Sequence, residues 1–511
     1  MKLSSLINFL RDKKYNFKLL NATSRDVSIS GISEDSRICK INNLFVAIRG
    51  FRYDSHKDVE IIKRIASVVV VDNKYQINDN EYIYIQAENT RQALSLIASW
   101  WYGNPSSKLK LIGVTGTKGK TTTSSIVYQI LRQNGFKAGL ISTIGAKVGN
   151  ITTKIGLHVT NPEPMLLHRL LKDMVKEHAK YVVLEVSSHG IDQGRIFGLK
   201  FEIAVLTNIA PEHLDYHKNL TDYKNTKFKL FQHSKKMIGN ADDKSIKDLI
   251  QLNKPKYSYS TKSKSDYKIE EVDTGKYVNF ILNYKNQKLI GTTSLHGKFN
   301  LLNIAAAIAV CHTLGLPINK IIDSIRNVKP IIGRLEKVPN KLGIQIYIDF
   351  AHTPESMEAV LQYFKTLHAN KLITVFGCAG ERDKNKRPRM GKISSKFSDL
   401  TVLTSEDPRS EKASEIIEQI RYGIKNAKQL KFVSSIGRHT FDTHKKYYSI
   451  VHDRSKAIEF AVKAAQSGDI VAILGKGHEK SMNYDGIEQP WSDKLAVNSI
   501  LKKVSGSRII K

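Results

Sequence analysis

The residues best suited to hold a phosphate are Gly116-Thr117-Lys118-Gly119-Lys120-Thr121-Thr122. They follow the apolar run Leu111-Ile112-Gly113-Val114-Thr115 and open a helical stretch over residues 124–134. A strand, a glycine-rich loop and a helix N-terminus, in that order, converge backbone N–H groups on an anion while a lysine reaches its outer oxygens. Thr121 then offers its hydroxyl to Mg²⁺. The loop reads G-x-x-G-K-T, shorter than the usual P-loop, which wants its first glycine where Val114 stands. Nucleotide binding is the favoured reading; an ordinary surface turn is the plain one. Glu185 ends the apolar run 181–186, and a carboxylate at a strand tip suits Mg²⁺ through its hard oxygens. The loop 208–217 is dense in histidine and carboxylate, although each histidine taken singly reads as readily as a satisfied loop residue.

Buried strands must carry these groups. Residues 181–186 and 203–208 are apolar enough to be covered on both faces, and helical stretches such as 165–176 lie between the strands. That alternation predicts an α/β fold with a parallel, doubly wound sheet over 108–332. Within it, 254–288 is polar and rich in Tyr and Lys and reads as a small antiparallel insertion, and 300–314 reads as a helix. Residues 1–107 form a smaller α/β module with strands near 44–48 and 67–71, closed by a Pro105-Ser106-Ser107 linker. A third α/β unit covers 333–511, with strands at 344–349, 372–376, 400–404 and 469–474. Polar residues cluster beyond the C-terminal ends of these strands, where open α/β sheets place their ligands. Three domains, 1–107, 108–332 and 333–511, suit a chain of 511 residues.

Composition narrows the function classes. The first twenty residues are broken by Arg11, Lys13 and Lys14, and no apolar run is long enough to cross a bilayer, so a cytoplasmic protein without membrane insertion is expected. Cys39, Cys311 and Cys378 are far apart and lack metal-ligand spacing. The formal charge of +32 invites a nucleic-acid reading. The basic residues are spread along the chain without an aromatic-basic stripe, so attraction for anionic substrates is the expected consequence instead.

Taken in order, the motifs resemble the Mur ligase family, ATP-dependent amide-bond-forming enzymes of peptidoglycan synthesis, and within it the tripeptide-synthetase (MurE-type) branch. The resemblance spans nearly the whole chain. It rests on the short phosphate loop and on Glu185-Val186-Ser187-Ser188-His189, Thr207-Asn208 and His213-Leu214-Asp215-Tyr216-His217. Gly333-Arg334-Leu335-Glu336, Asp349-Phe350-Ala351-His352-Thr353-Pro354 and Gly475-Lys476-Gly477-His478-Glu479 continue it. Each motif is weak alone; seven in sequence are specific. The resemblance implies three domains: a UDP-binding N-terminal unit, a central P-loop ATPase unit and a Rossmann-like C-terminal unit. It also implies ATP and Mg²⁺, with Thr121, Glu185, His213 and Lys227 at the metal site and Lys120 on the β/γ-phosphates. Lys227 matches the lysine that takes up CO₂ as a carbamate; without the family it reads as a solvated surface residue. Gly116 to Thr122, Asn303, Arg334, Asp349 and His352 are implied to contact ATP.

For the nucleotide-sugar substrate the resemblance points to Ser36 in Asp35-Ser36-Arg37, to Thr160 and Asn161, to Ser188, and to Gln193 and Arg195. Asn161 is a departure, since the family has Thr-Thr-Pro there. The amino acid is implied to meet Arg382, Glu406, Asp407, Arg409, Gly475 and Glu479. Glu406-Asp407-Pro408-Arg409 occupies the place of the Asp-Asn-Pro-Arg motif of enzymes that add meso-diaminopimelate. A carboxylate at Asp407 facing the substrate's far end is expected to disfavour a second carboxylate there and to favour L-lysine or L-ornithine, while Arg409 keeps diaminopimelate open. The expected reaction joins a diamino acid to UDP-MurNAc-L-Ala-D-Glu through an acyl phosphate, in a monomer that binds no nucleic acid. The rivals are another Mur ligase, folylpolyglutamate synthase or, outside enzymes, a P-loop nucleic-acid-binding protein.

Overall fold

The computed structural model describes residues 1–21, 26–50, 53–156, 159–252, 254, 256–274, 277–430 and 445–506. Three large sheets follow one another along the chain. The first has the valine-rich strand Val68–Asp72 at its centre, between Asn43–Val46 and Tyr84–Ala87, with Gly31–Ser33 and the antiparallel Phe17–Leu20 at its edges. Helices Leu3–Asp12 and Thr90–Trp101 cover one face with Leu6, Leu10 and Ile97. Asn89 starts the second of these helices by accepting bonds from the Arg91 and Gln92 N–H groups.

The central sheet has a parallel core in the order Lys256–Ser260, Ser234–Asn240, Phe201–Leu206, Lys110–Thr115, Tyr181–Glu185 and Ala138–Ser142. Successive side chains of a strand point to opposite faces, so Ile112 and Val114 enter one apolar core and Leu111 the other. Lys110–Thr115 lies between the strands of Glu185 and of Leu206, and the chain leaves it toward Ala138–Ser142 but later returns on its other side with Phe201–Leu206. Strand order therefore reverses beside the phosphate loop, the place where open α/β sheets form a ligand crevice.

Two expectations change. The stretch read as a small insertion instead adds three strands to one edge of the central sheet: Lys256–Ser260 pairs in parallel with Tyr267–Thr274, and Val278–Tyr284 and Gln287–Thr293 continue antiparallel, while Gly145–Val148 and Ile151–Thr153 extend the other edge to give eleven strands among the described residues. Its polar look belongs to one face only, because Tyr267, Ile269, Phe280 and Leu282 are buried beneath helix Lys298–Thr313. That helix has an unbroken buried apolar run from Ile304 to Cys311, being packed between this extension and helix Lys120–Gln133. The segment read as a linker is a 3-10 turn, Pro105–Lys108, whose buried proline packs near helix Pro164–Lys176.

The third sheet orders Glu336–Val338, Gln345–Asp349, Ile470–Leu474, Leu372–Phe376, Leu400–Leu403, Lys446–Ile450 and Ala427–Gln429, parallel except for the first. A hairpin, Ser481–Tyr484 with Ile487–Pro490, follows it. Among the described residues no helix is long and apolar enough to cross a membrane.

Candidate active site

The phosphate loop is clamped from the neighbouring strand. Asn208 accepts the Thr117 N–H at its backbone carbonyl (2.8 Å) and the Lys118 N–H at its side-chain oxygen (2.9 Å), and its amide returns a bond to the Lys118 carbonyl. Gly116, at φ +142°, lies so close to this strand that a Cβ would strike the Thr207 hydroxyl and sit 2.9 Å from the Asn208 nitrogen. Helix Lys120–Gln133 starts at Gly119 without a side-chain cap, which leaves its first-turn N–H groups to an anion. Asn303, from the buried helix, accepts from Thr123 Oγ1 at 3.2 Å and lies against Gly119.

Two amines converge on the loop. Lys120 Nζ donates to the Gly116 and Thr117 carbonyls at 3.0 and 2.9 Å, and Lys227 Nζ donates to the same Gly116 carbonyl at 2.9 Å. Lys227 is 1% exposed and lies 4.6 Å over the Tyr223 ring, so the surface reading of this lysine does not hold. Burial, reinforced by Lys120, holds its amine well below the usual range. Burial also lowers Lys120. Thr121 Oγ1 lies 3.1 and 3.0 Å from the two Glu185 oxygens, and Thr143 donates to the same carboxylate through its N–H and hydroxyl.

A hydroxyl beside a buried carboxylate, at the foot of a phosphate loop, is the hard-oxygen donor set that fits Mg²⁺ held jointly with substrate phosphates. Among the described residues no three His, Cys, Asp or Glu side chains are grouped to hold a metal by themselves. His213, at φ +58°, packs edge-on to His189 at 4.7 Å, and burial lowers it.

Glu212 was not singled out from the sequence. Its carboxylate takes Lys118 Nζ at 2.6 Å and faces His352 Nε2 at 3.9 Å. Burial would raise it, but Lys118, His213 and Lys120 outweigh this and hold it well below the usual carboxylate range. Its signal in the sequence is its place in the loop 208–217, next to His213.

The third unit reaches this loop. The Arg334 guanidinium lies 4.7 Å over the Phe350 ring and donates to Thr121 Oγ1 at 3.3 Å. Asp349 is engaged otherwise: its two oxygens accept the Leu335 and Ala351 N–H groups at 2.7 and 2.8 Å, so it shapes the turn that presents Arg334. His352 Nδ1 donates to the Phe350 carbonyl at 2.8 Å.

Where the first sheet meets the central one, Asp35 caps the turn Ser36–Ile38 and leaves Ser36 half-buried. Arg195 pairs with Glu163 at 2.6 Å and donates to the Asn161 carbonyl at 2.6 Å, near half-buried Thr160. Asn161 itself is 1% exposed: its amide donates to the Glu185 carbonyl at 2.8 Å and its oxygen accepts the Ser187 N–H at 2.9 Å. It braces the tip of the Glu185 strand. Ser188 is buried with an unpartnered hydroxyl, and Gln193 is half-buried beside Tyr216. Glu34, also unforeseen, sits here and is pushed up to about 7 by burial and then by Glu163.

The residues read as amino-acid contacts lie beyond the ends of Leu372–Phe376, Leu400–Leu403 and Ile470–Leu474. Glu406 is buried, with Oε2 unpartnered against Gly475, whose φ of +105° and lack of a Cβ make the approach possible. Arg382 is half-exposed, 3.6 Å from Asp215 of the central unit. Arg409, at φ +56°, lies near Arg382, Asp407 and Glu479.

Asp407 corrects an expectation. Both its oxygens take Lys476 Nζ at 2.8 Å, one also accepts the Asn483 N–H at 2.9 Å, and Lys476 reaches Glu479 at 2.6 Å. Its charge is answered within the protein, so the argument from a free carboxylate toward lysine or ornithine loses its basis.

Comparison with known proteins places this geometry. The Mur ligase middle domain matches residues 114–311, and the Mur ligase, glutamate ligase domain matches 333–477. The UDP-N-acetylmuramoyl-L-alanyl-D-glutamate--2,6-diaminopimelate ligase of Clostridium tetani is 36% identical over 475 residues, 91% of this chain and 93% of that protein. A protein of that name from Cytophaga hutchinsonii is 34% identical over 96% of this chain and 99% of its own length. A solved structure of a ligase with the same name has a TM-score of 0.63 at 28% identity, covering 93% of this chain and 95% of that one. The MurF ligase of Thermotoga maritima in complex with ADP, 19% identical over 93% of this chain and 98% of its own, shares the fold with a TM-score of 0.63. Preference for lysine or ornithine finds no support among these relatives, and the motif resemblance, the two domain matches and the near full-length relatives agree. The chain belongs to the Mur ligase family of ATP-dependent ligases.

Proposed function

We propose that this protein joins 2,6-diaminopimelate to the D-glutamate end of UDP-MurNAc-L-Ala-D-Glu in the cytoplasm, at the cost of ATP. The observation that carries the choice of amino acid is the Lys476–Asp407 pair, which leaves Arg409 available to a distal carboxylate. The names of the relatives point the same way.

In this reading the phosphate loop and Lys120 hold the β- and γ-phosphates, Asn303 holds the nucleotide from beneath the loop, and Arg334 and His352 approach from the third unit. Bound at Thr121 and Glu185, with His213 beside them, Mg²⁺ would offset charge on the transferring phosphoryl group. Lys227, whose amine burial pulls well below the usual range, would add through its nitrogen lone pair to CO₂ and release a proton, giving a carbamate beside the phosphate loop. Ser36, Thr160, Ser188, Gln193 and Arg195 orient the UDP-MurNAc-dipeptide, with Asn161 and Asp349 as braces. Its terminal carboxylate accepts the γ-phosphoryl group, and the amine of the diamino acid, seated by Arg382, Glu406 and Glu479, displaces phosphate. Water is kept out as the third unit closes on the second.

The test offers the purified protein ATP, UDP-MurNAc-dipeptide and, separately, diaminopimelate, lysine and ornithine, and measures phosphate release. Turnover highest with diaminopimelate supports the reading; a preference for lysine or ornithine overturns it. Salt-dependent retention on DNA without amino-acid-dependent ADP release would favour the nucleic-acid alternative.

A further inference from the structure

The third unit holds a buried cation whose neighbours are both candidate substrate contacts. Lys476 is 0% exposed, 2.8 Å from each Asp407 oxygen and 2.6 Å from Glu479 Oε2. Asp407 has its backbone at φ +41° and is tied to the hairpin by the Asn483 N–H; Arg409, two residues on, is tied to the same hairpin through the Asn483 carbonyl and the Asp485 N–H. Loop and hairpin thus fix three charges, Asp407, Lys476 and Glu479, within one small volume beside Arg409. Burial would lower the Lys476 ammonium, yet Glu479 and Asp407 outweigh it and raise it, so the ammonium persists at neutral pH. Within this trio the Lys476 ammonium offsets the Asp407 charge, so Asp407 does not present an unanswered carboxylate to a substrate group at Arg409.

We infer that Lys476 is a positioning residue that sets amino-acid selectivity: by cancelling Asp407 and aiming Glu479, it lets the far end of the pocket accept an ammonium and a carboxylate together. This rests on the reading of the site as a diaminopimelate pocket. Removing the ammonium alone leaves Asp407 as a buried, uncompensated charge next to the position of the substrate's distal carboxylate, and repulsion there acts on diaminopimelate but not on lysine. Removing both charges restores neutrality, so the defect belongs to the imbalance and not to the loss of a side chain.

The experiment uses the full chain and the phosphate-release assay, with diaminopimelate and L-lysine as alternative substrates. Lys476→Met is expected to raise KM for diaminopimelate at least tenfold more than KM for lysine, with kcat for diaminopimelate changed less than threefold. Asp407→Asn in the Lys476→Met background is expected to recover most of that tenfold. Should Lys476→Met fail to fold, Lys476→Gln with Asp407→Asn, a neutral hydrogen-bonding pair, is expected to keep the wild-type ratio of KM values. Equal KM changes for both substrates, no recovery in the double variant, or loss of the ratio in the neutral pair would overturn the inference while leaving the function intact. A wild-type protein inactive with diaminopimelate would overturn both.

Discussion

Replacing Glu406 by glutamine should stabilise the third unit, and only above a definite pH. Glu406 is 5% exposed with one oxygen unpartnered against Gly475, and burial pushes its carboxyl from an ordinary 4.5 up to about 7 despite Lys386, Arg454 and Lys476 nearby. A carboxyl raised on folding favours its protonated form in the native state. Its contribution is therefore fully present below pH 4.5, declines as the pH rises toward 7, and stays lost above that. At ~1.4 kcal/mol per pH unit, the gap amounts to about 3 kcal/mol. Glutamine keeps the shape and cannot ionise, so Glu406→Gln should match the parent near pH 4.5 and exceed it by about 3 kcal/mol at pH 8. Trp491 is the only tryptophan beyond Trp101, and it donates to Asp493 at 2.9 Å within the third unit. With Trp100 and Trp101 replaced by phenylalanine, its fluorescence during guanidinium unfolding reports that unit separately, which matters because a chain of several units need not unfold in one step. A difference independent of pH, or a variant less stable at pH 8, would refute the reasoning.

Two further substitutions probe the phosphate loop. Gly116→Ala places a methyl group against Thr207 and the Asn208 backbone, neither of which can move without opening the sheet; strain of ~1–3 kcal/mol should weaken ATP binding by about tenfold or more, read as loss of the nucleotide-induced rise in Tm. Lys227→Met removes a buried amine at nearly constant volume, so stability should hold within ~1 kcal/mol while ligase activity falls ~10–100-fold. Bicarbonate should stimulate the parent and not the variant, and full activity in the variant would sink the carbamate.

Strand positions were legible where apolar runs were unbroken: Leu372–Phe376 is read to the residue, and Tyr181–Glu185 to within one. What the pattern could not carry was charge answered at a distance. Asp407 looked like a free carboxylate because its counter-ion stands 69 positions later. Lys227 looked solvated because its neighbours in sequence are polar, and only the helix Leu220–Gln232 turns it inward onto Gly116. Asn161 read as a departure in a substrate loop; its buried bonds to Glu185 and Ser187 explain why an amide stands there.

The buried apolar run of helix Lys298–Thr313 has a consequence for synthesis. The helix packs on the strands Phe201–Leu206 and Ser234–Asn240, although its residues leave the ribosome roughly sixty to a hundred positions after theirs. At roughly 5–20 residues per second the half-built sheet presents Ile203, Val205 and Ile238 to the cell for on the order of several seconds or longer. Nascent chains stalled before residue 298 should therefore capture a chaperone that recognises apolar surface, and chains stalled well past residue 313 should release it; equal capture of both would remove the idea.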